Sequence, residues 1–183
     1  MVVYIILGEG FEEIEAVAPC DILRRGGIEV KFVGVDGLAV RGGHGIIVNA
    51  DAGLNEIDLD SANMLVIPGG MGGVNSILSS QRAMDIIKAA FDKKVALGAI
   101  CAGPTVLAKL GITDGKKAVC YPGTEGEMGS AETQMDANVV VEDNLITGRA
   151  PGAAIDFGLA LLEYLKGKET AEEVRSDLCY ERR

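Results

Sequence analysis

Residues 95–105 read VALGAICAGPT. From Val95 to Ile100 the chain is aliphatic or small and carries no charge, the pattern of a strand covered on both faces. It runs directly into Cys101-Ala102-Gly103-Pro104, and Ala102 to Leu110 then reads as a helix. Strand, sharp turn and helix with a thiol at the turn is the arrangement of a nucleophile elbow, where small neighbours are required. A cysteine at a helix N-terminus has its thiolate favoured by the N–H groups, which predicts a pKa lowered from about 8.5 by one to several units. The uncharged stretch Val95 to Ala108 is broken by glycines and Pro104 and is shorter than the roughly 18 residues of a membrane-spanning helix.

Outward from this elbow, Val2 to Leu7, Glu29 to Val35 and Met64 to Ile67 are further apolar, β-branched runs. Glu12 to Arg25, Ser80 to Asp92 and Pro151 to Leu165 read as helices and supply the crossovers that parallel strands need. Leu38 to Arg41 with Gly45 to Ala50, and Val139 to Glu142 with Leu145 to Thr147, read as two antiparallel hairpins decorating the sheet edges. No linker, repeat or charge block interrupts the order, so one domain over residues 1–183 is expected. The predicted fold class is α/β: a doubly wound, mostly parallel sheet sandwiched by helices. Ligands in such folds sit outside the carboxyl ends of the strands.

Composition narrows the chemistry. With 27 Asp+Glu against 17 Lys+Arg the net charge is -10, which disfavours nucleic acid and anionic membrane as partners. A single histidine excludes two-His metal motifs. Cys20, Cys101, Cys120 and Cys179 form no CxxC pair, so reduced thiols and a cytoplasmic location are expected. The opening MVVYIILGEG lacks the basic segment and cleavage site of a signal peptide.

Three strand ends can share one site. Gly8-Glu9-Gly10-Phe11-Glu12-Glu13-Ile14-Glu15 starts like a dinucleotide fingerprint, but Glu13 stands at the third glycine position and the glutamates would repel a pyrophosphate. Glu9, Glu12 and Glu13 read as complements to the helix N-terminus. Ile14, Val17, Ala18 and Ile22 are predicted to form the buried stripe, with Glu15 on its flank, and Pro19 withholds the donor for the Glu15 carbonyl, predicting a kink or an unpaired carbonyl there. Pro68-Gly69-Gly70-Met71-Gly72-Gly73 lacks the Lys-Ser/Thr of a P-loop but can present backbone N–H groups to a developing negative charge. Cys101 closes the third end.

The run Ala99 to Thr105, together with Glu12-Glu13-Ile14-Glu15, Leu23-Arg24-Arg25-Gly26-Gly27-Ile28, Pro68-Gly69-Gly70 and Gly148-Arg149-Ala150-Pro151-Gly152, resembles the ThiJ/PfpI superfamily, in particular the Parkinson's-associated deglycase branch, DJ-one. The likeness runs from Val2 to about Val174. It implies a flavodoxin-like fold related to class I glutamine amidotransferases. It further implies Cys101 as an oxidation-prone nucleophile, Glu15 as its hydrogen-bonding acid, Gly70 and Ala102 as oxyanion donors, and Gly69, Tyr121 and Pro151 in the substrate pocket. A protonated Glu15 can donate to sulfur without charge repulsion. A homodimer through the first helix and the adjoining hairpin, with Arg24, Arg25 and Gly42 to Ile47, is also implied.

The chain departs from the family pattern at Tyr121, which stands where a histidine is typical; a phenol of pKa near 10 is a poor general base. His44 lies in the hairpin, where a surface or dimer-contact role is expected. Gly42 and Asn49 occupy the places of peripheral cysteines, so no metal and no cofactor are expected. The function implied is a cysteine-dependent glyoxalase or deglycase acting on a small electrophilic carbonyl such as methylglyoxal. A non-catalytic redox sensor working through Cys101 oxidation is the rival, and a cysteine peptidase or amidase a weaker one, since Tyr121 supplies no acyl-transfer base.

Overall fold

The apolar runs do form the interior of one sheet. The structure is a computed structural model, and it describes residues 1–181. Its strands in chain order are β1 (Val2–Leu7), β2 (Glu29–Gly34), β3 (Ala39–Arg41), β4 (Ile47–Asn49), β5 (Ala52–Gly53), β6 (Ala62–Ile67), β7 (Ala96–Ile100), β8 (Lys117–Ala118), β9 (Glu132–Thr133), β10 (Val139–Glu142) and β11 (Leu145–Gly148). The helices are α1 (Glu13–Arg25), α2 (Met71–Ser79), α3 (Gln81–Asp92), α4 (Pro104–Lys109), α5 (Ala154–Lys166) and α6 (Lys168–Asp177).

The main sheet has seven strands in the order β10-β11-β7-β6-β1-β2-β5. Every pairing is parallel except β10 with β11. Side chains alternate across the sheet as a period of two requires. Val3, Ile5 and Leu7 face one apolar layer, with α1, α5 and α6. Tyr4 and Ile6 face the other, with α2, α3 and α4. Both faces are therefore covered, which is why the central strands read as continuous apolar runs. The doubly wound α/β class is the observed one.

Three expectations need correction. The Val139–Thr147 hairpin does not merely decorate: β11 continues the parallel sheet beside β7, and only β10 is an edge strand. The first hairpin, β3–β4, is a separate two-stranded ribbon. The buried stripe of α1 is Glu13, Glu15, Ala16, Pro19, Cys20, Ile22 and Leu23, whereas Ile14 and Val17 are 54% and 47% exposed. α1 docks on α5 closely enough that a Cβ on Gly158 would lie 2.8 Å from Ile22 Cδ1 and 3.1 Å from Pro19 Cα. That contact turns the helix so that Glu15 points inward. α1 continues as helix past Pro19, which has no N–H to offer the Glu15 carbonyl.

Candidate active site

Cys101 is the residue after β7, and its backbone has φ +64°, the left-handed region that a side chain rarely adopts. Strain of this kind costs of order 1–3 kcal/mol and persists only when the surroundings enforce it. Here they do: the Cys101 N–H donates to Gly148 O at 2.9 Å, and its carbonyl accepts from Tyr121 N at 2.8 Å. The ends of β7 and β11 and the segment after β8 therefore lock the elbow. The thiol is 7% exposed.

Glu15 is fully buried, at 0% exposure. Its Oε2 accepts from Gly69 N at 2.7 Å. The Cys101 thiol lies close enough to the same carboxyl for each to shift the other's pKa, and Oε1 has no hydrogen-bond partner among the described residues. Gly69 lies between them: a Cβ placed there would sit 2.6 Å from Glu15 Oε2, 2.7 Å from Cys101 Cβ and 3.0 Å from Ala102 N. Only glycine lets acid and thiol approach. The backbone amides of Ala102 and Gly70 favour the thiolate of Cys101.

The charges of this pair are coupled. Burial raises the Glu15 carboxyl to about 7, against the hydrogen bonds from Cys101 and Gly69, with the Glu12 charge adding to the rise. Burial, then the charge and hydrogen bond of Glu15, push the Cys101 thiol up to about 12, opposed by the Ala102 and Gly70 amides. The expected lowering of the thiol pKa is thus reversed, because burial beside a carboxylate outweighs the amides at the elbow. Two of the three upward causes belong to ionised Glu15 and vanish when Glu15 holds the proton. The carboxyl near neutrality is the master of the pair, and acid and thiol titrate as a unit.

The other residues singled out by sequence are placed less uniformly. Tyr121 adjoins Cys101 through its backbone, but its side chain is 45% exposed. Pro151 opens a single 3-10 turn, Pro151–Ala153, three residues after the Gly148 carbonyl that binds Cys101. Glu9 and Glu13 do not serve the helix end as expected. The Glu9 carboxylate accepts from Arg41 N at 3.1 Å. Glu13 reaches across to the β3–β4 hairpin: Oε1 accepts from His44 N at 2.8 Å and Ile46 N at 3.3 Å, and Oε2 meets His44 Nδ1 at 3.0 Å. Burial pushes Glu13 upward, but His44 and the backbone N–H groups prevail and hold it below the usual carboxylate range. A Cβ on Gly42 would strike Glu13 Oε1 at 2.3 Å, so glycine is required where the clamp closes.

His44 is 71% exposed, consistent with a surface position, and also lies 3.6 Å from Glu12 Oε1. The donor atoms of Glu12, Glu13 and His44 all lie within 4.8 Å of one another. Both Glu13 oxygens and Nδ1 are spent on one another and on hairpin N–H groups, at a helix end whose dipole is positive, so the three form an ion cluster and not a cation site. Sequence reasoning missed this clamp. Its partners are separated by 31 residues, and no local pattern marks them.

A cysteine at a strained strand-to-helix elbow of a doubly wound sheet, beside a buried acid, places the chain among α/β sandwich proteins with a cysteine at the carboxyl end of a central strand. The chain belongs to the DJ-1/PfpI family, whose sequence model matches residues 1–164. It is 38% identical over 176 residues to protein dj-1beta of Drosophila melanogaster, covering 95% of this chain and 94% of that one. The crystal structure of that Drosophila protein superposes with a TM-score of 0.94 at 36% identity, covering 99% of this chain and 98% of the other. A glutathione-independent glyoxalase of Caenorhabditis elegans is 31% identical over 93% of this chain and 91% of its own length. A deglycase of Pyrococcus abyssi is 32% identical over 83% of this chain and 92% of its own. Among the described residues, no helix is long and apolar enough to cross a membrane.

Proposed function

We propose that the protein is a cysteine-dependent glyoxalase or deglycase that converts small 2-oxoaldehydes, such as methylglyoxal, or their adducts, to 2-hydroxy acids. The observation that carries this reading is the buried Glu15 carboxyl set against a strained Cys101, with only Gly69 between them. Relatives named glyoxalase and deglycase support it.

In this reading Glu15 accepts the thiol proton as sulfur attacks the aldehyde carbon, forming the C–S bond of a hemithioacetal. The Gly70 and Ala102 amides stabilise the oxyanion until Glu15 returns the thiol proton to it, which frees the carboxylate for the next step. Glu15 then carries the aldehyde proton from the first carbon to the second through an enediol, which leaves a thioester of the 2-hydroxy acid. Water cleaves the C–S bond, releasing lactate and regenerating the thiol. The net change is an internal oxidation and reduction plus one water, so no cofactor is needed. Tyr121 and Pro151 border the approach to sulfur, and the half-exposed phenol orients substrate in place of an imidazole. Exposed Ile14, Val17, Ile46 and Ile47 support a homodimer through α1 and the hairpin.

Lactate formation from methylglyoxal tests the proposal. Wild-type protein is expected to turn over, and a Cys101→Ser variant equally fast would end it. The same ring of donors favours a second reading, in which the amides and protonated Glu15 stabilise a sulfinate on Cys101 and the protein senses oxidant. Intact-mass analysis after mild peroxide would then find oxygen on Cys101 before the other thiols.

A further inference from the structure

The ion cluster at the hairpin is joined to the site by a short chain of contacts. His44 Nδ1 lies 3.6 Å from Glu12 Oε1. Glu12 N donates to Gly69 O at 3.0 Å, while on the other side of the same peptide segment Gly69 N donates to Glu15 Oε2 at 2.7 Å. The Glu15 N–H in turn donates to Glu12 O at 3.2 Å. Glu12, Gly69 and Glu15 are therefore one hydrogen-bonded unit, and Gly69 is the residue that packs against Cys101. Glu12 is only 22% exposed, so the position of its charge is felt inside the site, where it opposes ionisation of Glu15.

We propose that His44 is a positioning residue for the Cys101–Glu15 site: its imidazolium holds the Glu12 carboxylate on the hairpin side, so that Cys101 reactivity follows the charge on His44. This rests on the reading of Cys101 as the nucleophile and extends it to regulation by pH. When His44 is protonated, its charge offsets that of Glu12, and forming an anion on the acid–thiol pair is easier. When it is neutral, Glu12 is released and unshielded, and anion formation is harder. The charged groups facing His44 are Glu12 and Glu13 from α1. On its own hairpin Arg41 turns its guanidinium to Gly45 O at 3.5 Å, and its N–H binds Glu9. Contact with Glu13 and the charges of Glu12 and Glu13 raise the His44 pKa above its usual value, which brings the transition towards neutrality.

The experiment is the rate of Cys101 alkylation by iodoacetamide from pH 5 to 9, read at the peptide level, in the wild type, His44→Gln, His44→Arg, Glu12→Gln and the Glu12→Gln/His44→Gln pair. Below the His44 transition, His44→Gln is expected to react roughly two- to fivefold more slowly than wild type, and the two curves to converge above it. His44→Arg keeps the faster rate and extends it to high pH. In the Glu12→Gln background the effect of His44→Gln falls by at least half, the coupling that a path through Glu12 requires. A purely structural hairpin role would lower the melting temperature and shift the rate by one factor at every pH, and that result overturns the proposal. So do superimposable profiles on a reactive Cys101. A wild-type Cys101 that resists alkylation throughout would defeat the nucleophile reading, and this proposal with it.

Discussion

Glu13 and Glu15 are two residues apart on the first turn of α1, and both are buried, at 6% and 0% exposure, yet they are driven in opposite directions. Glu13 faces a hairpin that offers two N–H groups and an imidazole, and it stays ionised below the usual range. Glu15 faces one N–H, a thiol and no cation, and its carboxyl rises to about 7. Both are covered by protein, but Glu15 lies far deeper and burial penalises its charge much more. The donors and countercharges that meet each oxygen widen the difference. One acid is a structural clamp, and the other is held ready to give or take a proton.

Exchanging each acid for its amide separates these roles. Glu15→Gln removes the proposed proton carrier, and turnover of methylglyoxal is expected to fall by about 10² to 10⁴, the range of general acid–base catalysis. The same variant is expected to be the more stable protein at pH 8. The raised carboxyl of the native state is a penalty that begins above the ordinary carboxylate pKa near 4.5 and is complete above about 7. Removing it is worth up to about 3 kcal/mol in denaturant melts, and nothing at pH 4. Glu13→Gln does the reverse: it keeps most of the activity and loses about 1–3 kcal/mol of stability, because charge-assisted bonds to the hairpin are weakened.

The glycines facing each acid sharpen the contrast. Gly69→Ala drives a methyl between Glu15 and Cys101 and is expected to cost about 1–3 kcal/mol of overpacking and most of the turnover. Gly42→Ala pushes on Glu13 instead, with a similar stability loss and a much smaller effect on lactate formation. Equal activity losses in both would erase the distinction between clamp and site.

Much of this architecture is legible in the chain and some is not, for physical reasons. β1, β6 and β7 announce themselves because burial on both faces demands nearly unbroken aliphatic runs, and β2 does so more weakly because Glu29 and Lys31 interrupt it. α2 is masked by Gly72, Gly73, Asn75 and Ser76, poor helix formers held in place by packing through Val74 and Ile77. α6 buries only Ala171 and Val174 on a ten-residue polar helix, so its periodicity is faint. β5, β8 and β9 are two residues each, too short for any pattern. The elbow at Cys101 is readable from its small neighbours. The inward turn of Glu15 is not, since apolar residues stand on both faces of α1 and the docking against α5 chooses between them.

Smaller effects are expected at the clamp and its surroundings. Glu13, held low, contributes stability that is present above its unfolded pKa and lost as pH falls through its lower native value. His44, held high, contributes stability that is present below its unfolded pKa and lost as pH rises through its higher native value. The hairpin is therefore tightest between about pH 4.5 and 6.5. The protection of the Ile46 amide against hydrogen exchange, corrected for the intrinsic pH dependence of the exchange rate, should be highest in that window, whereas amides of β7 should not share its profile. Val17→Glu, on the exposed face of α1, is expected to shift the proposed homodimer to monomer by light scattering and to leave the Cys101–Glu15 pair intact.

The central claim is that Glu15 holds its proton near neutrality while its neighbour Glu13 does not. A carbon-13 NMR titration of glutamate side-chain carboxyls, with Glu15→Gln and Glu13→Gln to assign the resonances, measures this directly. The account predicts a midpoint of about 7 for Glu15 and one below the usual carboxylate range for Glu13. Two midpoints together at about 4 to 5, the ordinary range of a glutamate, would contradict it.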